Sequence, residues 1–201
     1  MLKTNICLKS PLKKIIKIVI IKIIKVRGDK MEYIKGEYVK YANNGVCLID
    51  DICVPDFDKS SEDNFYYVLK PLSEKSTVIF VPVKNSALLS KMRKLLTKQE
   101  IDEKISSIEV KEEIWIDDRK KRTERFNNIL KSNDTLELLR MVGCIYMKKQ
   151  ELAENKISKK LSFSDIDLLE RAEKMIDDEF SFVLNIDANA VGEYIRRKLG
   201  N

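Results

Sequence analysis

The sequence predicts an α+β fold, with a small N-terminal β-barrel followed by a compact C-terminal bundle of α-helices. Between residues 31 and 90, short runs of β-forming residues alternate with turn signals. Between residues 118 and 201, apolar residues recur instead at helical spacing. The only tryptophan, Trp115, stands where the two patterns meet, and a dense run of cations follows it. The predicted division is a basic extension over 1–30, a β domain over 31–90, a connector with a helix over 91–117 and a helical domain over 118–201.

Composition and charge indicate a globular protein with a strongly charged surface. Of the 201 residues, 44% are hydrophobic and 35% are charged. The net charge of +6 comes from residues 1–30, which contain nine Lys or Arg and one acid. The rest of the chain carries 29 Lys or Arg against 31 Asp or Glu. Any nucleic-acid interface therefore has to be a local patch of cations.

The side chains that most enzymes and metal sites require are scarce. The chain has no histidine, and its four cysteines lack metal-binding spacing. Neither a serine nucleophile motif nor a glycine-rich phosphate loop occurs. We therefore expect a binding protein without cofactor, metal or small-molecule substrate, and not an enzyme. Scattered cysteines without a clear export signal favour a cytoplasmic location.

Residues 1–30 are dominated by Lys and Ile. Lysines interrupt every apolar run, so the segment falls short of the roughly 20 apolar residues that a membrane span needs. Membrane association is not expected, although an interfacial amphipathic helix is an alternative. Codons for residues 27–30 can spell a purine-rich ribosome-binding sequence before Met31. Met31 is therefore the expected native start, and the extension is not expected to be native.

Four strands are predicted in the β domain, at residues 33–41, 46–52, 65–69 and 77–83. Asn44-Gly45 between the first two is a strong hairpin signal, because a type I′ turn needs positive φ at both central residues. Pro82 marks the last strand as an edge strand or a strand end. Short strands joined by tight turns are typical of SH3-like and Tudor-like barrels, which can bind a partner by pairing with an open edge.

Capping residues predict where the helices begin and end. Asp117 and Asp118 precede the first bundle helix, and a break follows at residues 132–134. Ser164 with Asp167 resembles a capping box. Apolar stripes at helical spacing are expected to form the core. The predicted stripes are Leu136, Leu139, Val142 and Tyr146 on one helix and Ile166, Leu169, Ala172, Ile176, Phe180 and Val183 on the next.

Trp115 and the cations after it have two interpretations. In one, Trp115 fills the domain interface and the cations form a solvated helix face. In the other, they form a binding site. Arg119 and Arg122 continue the face of Phe126 and Ile129 towards the helix N-terminus. The first two turns are therefore expected to project past the bundle or to extend along its surface.

Both halves resemble one family of bacterial transcription regulators. The pattern KGEYVKYANNGVCLIDDI, followed by NFYYVLKPL and TVIFVPV, resembles the barrel of CarD/CdnL proteins and of transcription-repair coupling factors. The segments EIWIDDRKKRTERFNNILKSND and LLERAEKMIDDEFSFVLNID are similar to the clostridial branch of CarD-like proteins. The resemblance covers residues 31–198.

The resemblance implies a regulator that binds both RNA polymerase and promoter DNA. The barrel pairs with the polymerase β subunit, and the helical domain contacts DNA beside the melted region. A tryptophan there acts as a minor-groove wedge while cations hold phosphates, which modulates the stability of the open complex. The implied DNA-binding residues are Trp115, Arg119, Lys120, Lys121, Arg122 and Arg125.

The implied polymerase contact lies on the fourth strand, at Ile79, Phe80 and Val81. Actinobacterial members carry an arginine where this chain has Phe80, so backbone pairing and apolar area are expected to replace an ion pair. The alternative function is a Tudor-like adaptor that binds protein, dimerises through its helices and does not touch DNA. The sequence leaves target promoters, activation or repression, oligomeric state and the role of Trp115 open.

Overall fold

The computed structural model describes residues 32–58, 64–74, 76–108, 114–154 and 160–200. Residues Gly36–Asn201 form one compact unit, and Met1–Lys35 form a separate one. The predicted extension over 1–30 and the predicted start at Met31 lie outside the described residues. In the described ranges, no helix has the length and apolar character to cross a membrane.

Five antiparallel strands form the sheet of the N-terminal half. They are β1 (Tyr38–Tyr41), β2 (Val46–Cys53), β3 (Tyr66–Pro71), β4 (Ile79–Pro82) and β5 (Met92–Lys94). The strand order is β4-β3-β2-β1-β5, so β4 and β5 are the two edges of the described sheet. The predicted α+β class is confirmed, since helices follow the sheet. The first four strands coincide with predicted ones, whereas β5 occupies a segment in which only a helix was expected.

The β1–β2 hairpin occurs where it was predicted, but with a different turn. A 3-10 turn spans Ala42–Asn44, and positive φ falls at Ala42 (45°) and Gly45 (66°) instead of at two central residues. A Cβ on Gly45 would lie 2.6 Å from a carboxylate oxygen of Asp178. Gly45 is thus required by the backbone conformation and by the close approach of the turn to a distant helix.

Within the described residues, six α-helices come after β4 in the chain. They are α1 (Ser86–Leu89), α2 (Lys98–Ser106), α3 (Arg119–Ser132), α4 (Thr135–Glu154), α5 (Phe163–Leu184) and α6 (Val191–Leu199). Asp118 caps α3 by accepting a hydrogen bond from Lys121 N, as predicted. The capping box of α5 is Ser162 with Asp165, two residues before the predicted pair.

One apolar core joins the helices. Its fully buried side chains come from α2, α3, α4, α5 and α6: Ile101, Ile105, Phe126, Leu138, Met141, Ile145, Ala172, Phe180 and Val191. The predicted stripe on α5 is correct from Leu169 to Phe180, but Ile166 is 41% exposed. On α4 the predicted stripe was partly wrong, because Tyr146 is 47% exposed and Leu138 and Met141 are buried instead. These helices pack on more than one side, which widens the buried face beyond a single stripe.

The sheet is joined to α5 through β1 and β5. Tyr38 stacks on Phe182 with ring centroids 4.7 Å apart. Lys40 and Arg93 face each other across the two strands, and both donate hydrogen bonds to Glu179. The two halves therefore meet through an aromatic pair and a charged cluster.

Candidate functional site

Strand β4 presents an open edge. Within the described residues it pairs with β3 alone. Val83 N donates to Phe65 O at 2.9 Å, and Val81 lies opposite Tyr67. Hydrogen-bonded residues alternate along an antiparallel ladder, so the backbone N–H and C=O of Phe80 point to the open edge. That geometry permits a further strand to pair here.

The side chains of β4 alternate between the two faces of the sheet. Val81 is fully buried and Ile79 is partly buried, whereas Phe80 is 37% exposed. Pro82 is in the same phase as Phe80, so its missing N–H removes no bond to β3. Of the three residues predicted to bind polymerase, the structure presents Phe80 at the surface and turns Val81 into the core.

Phe80 belongs to an exposed aromatic cluster, which we define as Phe57, Tyr66 and Phe80. The ring of Phe57 lies 5.0 Å from Phe80 and 5.8 Å from Tyr66, in both cases edge to face. Tyr66 and Phe80 are diagonal neighbours on one face of the β3–β4 pair. Asp58 accepts a hydrogen bond of 2.7 Å from the Tyr66 hydroxyl, which fixes the ring.

Two members of this cluster were not singled out from the sequence. Phe57 is 67% exposed and lies between the predicted strands at 46–52 and 65–69, in a polar segment. An aromatic residue isolated in such a loop was the available signal, since large exposed apolar side chains are enriched at binding surfaces. Tyr66 was assigned to a strand, and only the register of β3 with β4 places it beside Phe80.

The second candidate surface is the exposed side of α3. We define the α3 basic surface as Arg119, Lys120, Lys121 and Arg125, whose side chains are all exposed. Lys121 and Arg125 are one helical turn apart and line one shallow depression. Arg119 and Lys120 line another, together with Ser164 of α5. The Arg119 Nε donates to Ser164 Oγ at 3.2 Å.

Arg122 has a different environment from the other cations. Its residue is 5% exposed, and its Nε and Nη2 donate to the two carboxylate oxygens of Asp165, each at 3.0 Å. Nη1 donates to the carbonyls of Ile116 and Asp117 at 2.6 and 3.1 Å. The first two turns of α3 were expected to project past the bundle or to extend along its surface, and this was wrong for Arg122, which is buried.

The Arg122–Asp165 pair is compensated by several hydrogen bonds. Burial alone would raise the pKa of Asp165, but hydrogen bonds from Arg122 and Ser162 outweigh it and lower the pKa. Four of the five N–H donors of the Arg122 guanidinium are bonded and the residue is buried, so little of it is accessible to a phosphate. The pair instead joins the first turn of α3 to the first turn of α5.

Trp115 is partly buried against the helical core. The Arg122 guanidinium lies over its ring, 4.1 Å from the centroid, and the Lys148 ammonium lies 5.7 Å away. The ring of Phe126 meets it edge to face at 6.5 Å. One face of the indole is therefore covered by a buried cation. Trp115 packs against the helical core and is not an exposed ring.

The described residues were also surveyed for metal ligands. Among them, no group of three or more His, Cys, Asp or Glu side chains is placed to hold a metal ion. Burial raises the pKa of the Cys47 thiol to about 12, so this cysteine is not a thiolate at neutral pH. The open edge of β4 and the α3 basic surface are therefore the two candidate functional surfaces in the described part of the chain.

Comparison with protein families identifies the β-rich half. Residues 33–95 match the model of the CarD-like/TRCF RID domain, where RID denotes the RNA polymerase-interacting domain. The match contains all five strands and ends directly after β5. Residues 33–95 therefore resemble a CarD-like RID domain.

This match supports an RNA polymerase-interacting role related to transcription. The open edge of β4 and the aromatic cluster both belong to the RID domain, whereas the α3 basic surface lies outside the matched residues. No curated protein matches the chain.

Proposed function

We propose that the chain is a cytoplasmic transcription regulator that binds the β subunit of RNA polymerase through β4. The helical domain would contact promoter DNA through the α3 basic surface and alter the lifetime of the open complex. The observation that carries the proposal is the open edge of β4 within the RID domain, with Phe80 at its centre.

Phe80 can serve this contact in two ways. Its backbone N–H and C=O point to the open edge, where a strand of the polymerase can pair with them. Its ring extends the contact to Phe57 and Tyr66, and aromatic side chains of this kind frequently dominate binding energy at protein interfaces. An apolar anchor would thus replace the arginine of actinobacterial relatives.

The α3 basic surface suits DNA phosphates. Four exposed cations lie within two helical turns, and Glu124 is the one acid among residues 119–125. Such contacts provide affinity without sequence selectivity and weaken as salt concentration rises. Arg122 is excluded from this role by its bonds to Asp165, and we assign it to positioning α3 against α5.

The polymerase contact is tested by measuring binding of the whole chain to purified β subunit and to the other polymerase subunits. We expect saturable binding to the β subunit alone. Binding to a different subunit, or to none, would reject the proposed contact.

The DNA contact is tested by the salt dependence of binding to a short duplex. Replacing Lys120, Lys121 or Arg125 with Gln should weaken binding and reduce the slope of log K against log salt by about one unit per cation. Lys84→Gln is the control, because Lys84 is exposed on the RID domain, away from α3. Unchanged slopes for all three variants, or no binding by the wild-type chain, would favour the adaptor that does not touch DNA.

A further inference from the structure

The N-terminus of α5 carries the most exposed large apolar side chain among the described residues. Phe163, the first residue of α5, is 85% exposed, and Ile166, one turn later, is 41% exposed. Residues three apart share a helix face, so the two form a small apolar ridge. Single exposed apolar residues are common, so the surroundings of the ridge decide its meaning.

The ridge is held rigidly beside the α3 basic surface. The capping box of Ser162 and Asp165 fixes the first turn of α5, and Asp165 is paired with the buried Arg122. Arg119 donates to Ser164, the residue next to Phe163. The aromatic ring therefore sits on a fixed helix end and not on an unsupported loop.

Cations outnumber acids around the ridge. Arg119, Lys120 and Glu124 line the depression that Ser164 borders. Exposed Lys160 precedes α5 by three residues, and exposed Asp167 follows Ile166. An apolar side chain flanked by cations is complementary to duplex DNA, whose phosphates pair with the cations while a base step accepts the ring. A protein partner of matching shape would need an acidic rim around an apolar pocket.

We infer that Phe163, supported by Ile166, inserts at a base step of the DNA that Arg119 and Lys120 hold. The inference rests on the proposed DNA contact and assigns the wedge to a residue other than Trp115. Phe163 can enter a minor groove without rearrangement, because its ring is already in solvent. Trp115 would first have to leave the Arg122 guanidinium and the core.

The test uses the whole chain and two short duplexes of the same length. One duplex is fully paired, and the other has a single central mismatch. Both carry a fluorescent adenine analogue at the same site, next to the central base pair or the mismatch. Insertion unstacks the analogue and raises its fluorescence, and the mismatch lowers the cost of unstacking. Phe163→Ala should abolish the fluorescence rise and weaken binding to the mismatched duplex about tenfold, with the salt slope unchanged.

Two further variants separate the possible outcomes. Phe57→Ala removes an exposed ring from the RID domain and should behave as the wild type on DNA. Lys120→Gln should weaken binding to both duplexes and reduce the salt slope. If Lys120→Gln does so while Phe163→Ala matches the wild type, the DNA surface stands and the wedge is wrong. If the wild-type chain binds neither duplex, both the wedge and the proposed DNA contact are wrong.

Discussion

The ammonium of Lys40 lies 3.0 Å from the carboxylate of Glu179, and both side chains are fully buried. The two residues are 139 positions apart, on β1 and α5. Arg93 donates two hydrogen bonds of 2.6 Å to the same carboxylate, and Leu96 N donates a third of 3.1 Å. Glu179 thus pairs with two facing cations and joins the RID domain to the helical bundle.

Removing Glu179 should leave this junction with an unpaired buried charge. We expect Glu179→Ala to lower the free energy of unfolding by about 3–5 kcal/mol, because Lys40 would lose its counter-charge in a fully buried site. Urea denaturation of the whole chain measures the loss. Lys70→Ala is the matched control, since its pair with Asp50 is exposed and should contribute less than about 1 kcal/mol. A similar small loss in both variants would refute the role of the junction.

Stability should change in opposite directions at mildly and strongly acidic pH. The pKa of Asp177 is raised from 3.8 to about 6 by burial and by the charges of Glu173 and Asp178. The folded chain therefore holds a proton at Asp177 more tightly than the unfolded chain does. Its ionisation costs stability above about pH 6, and this cost disappears as the pH falls towards 3.8.

The carboxylates of Glu179 and Asp165, each in a buried ion pair, change stability in the opposite direction as the pH falls. For Glu179, burial alone would raise the pKa, but Arg93 and Lys40 outweigh it and lower the pKa from 4.5. The pKa of Asp165 is lowered from 3.8 in the same way. Their stabilisation is present above these ordinary values and is lost as the pH falls through the lower folded values.

Melting temperatures measured across pH should therefore pass through a maximum. They should rise as Asp177 is protonated below about pH 6 and fall once Glu179 and Asp165 are protonated at lower pH. Asp177→Asn should raise stability at neutral pH by about 1 kcal/mol, discounted because the group is only half-buried. It should reduce the rise on mild acidification without removing it, because burial also raises the pKa of Asp178. If the melting temperature of Asp177→Asn rises on mild acidification as much as that of the wild type, the effect belongs to another group.

Arg122 and Arg119 share a helix face but should respond very differently to truncation. Arg122→Ala leaves Asp165 buried without its partner, so we expect a loss of about 3–5 kcal/mol in the free energy of unfolding. Arg119→Ala removes an exposed side chain and should cost less than about 1 kcal/mol. Urea denaturation of the two variants compares them directly. Equal losses would contradict the assignment of Arg122 to structure and of Arg119 to DNA.

Trp115 should contribute to stability more than to DNA distortion. Because its ring packs on the core and under Arg122, we expect Trp115→Ala to lower the free energy of unfolding by about 2–4 kcal/mol. The surviving folded protein should still raise the fluorescence of the adenine analogue. A variant of full stability that fails to unstack DNA would instead establish Trp115 as the wedge.

Strands that are flanked by turn residues could be predicted from local sequence alone. Asn44-Gly45 and Pro82 predict the first hairpin and the edge character of β4, and both features are present. Strand β5 has three residues and no alternation of its own. Its conformation depends on pairing with β1, where Arg93 lies opposite Lys40, and a contact so distant in sequence leaves no local pattern.

For the candidate sites too, features set by local sequence could be predicted, whereas features set by distant contacts could not. Cations at Arg119, Lys120, Lys121 and Arg125 are exposed, as expected for arginine and lysine. The sequence places Arg119 and Arg122 on the face of Phe126 but does not show which of the two is buried, because the burial of Arg122 is set by Asp165, 43 residues later. Phe163 was not singled out, since a first helical residue beyond a Ser cap gives no indication of whether its ring meets the core or solvent.

The affinity of the whole chain for the purified polymerase β subunit, measured for the wild type and for Phe80→Asp, tests the central claim most directly. Phe80→Asp places a charge on the apolar anchor of β4, so we predict at least about a tenfold weaker affinity. Phe163→Asp carries the same substitution on an exposed ring of α5 and should bind the β subunit as the wild type does. Thermal melts confirm that both variants are folded. Wild-type affinity in folded Phe80→Asp would contradict the account.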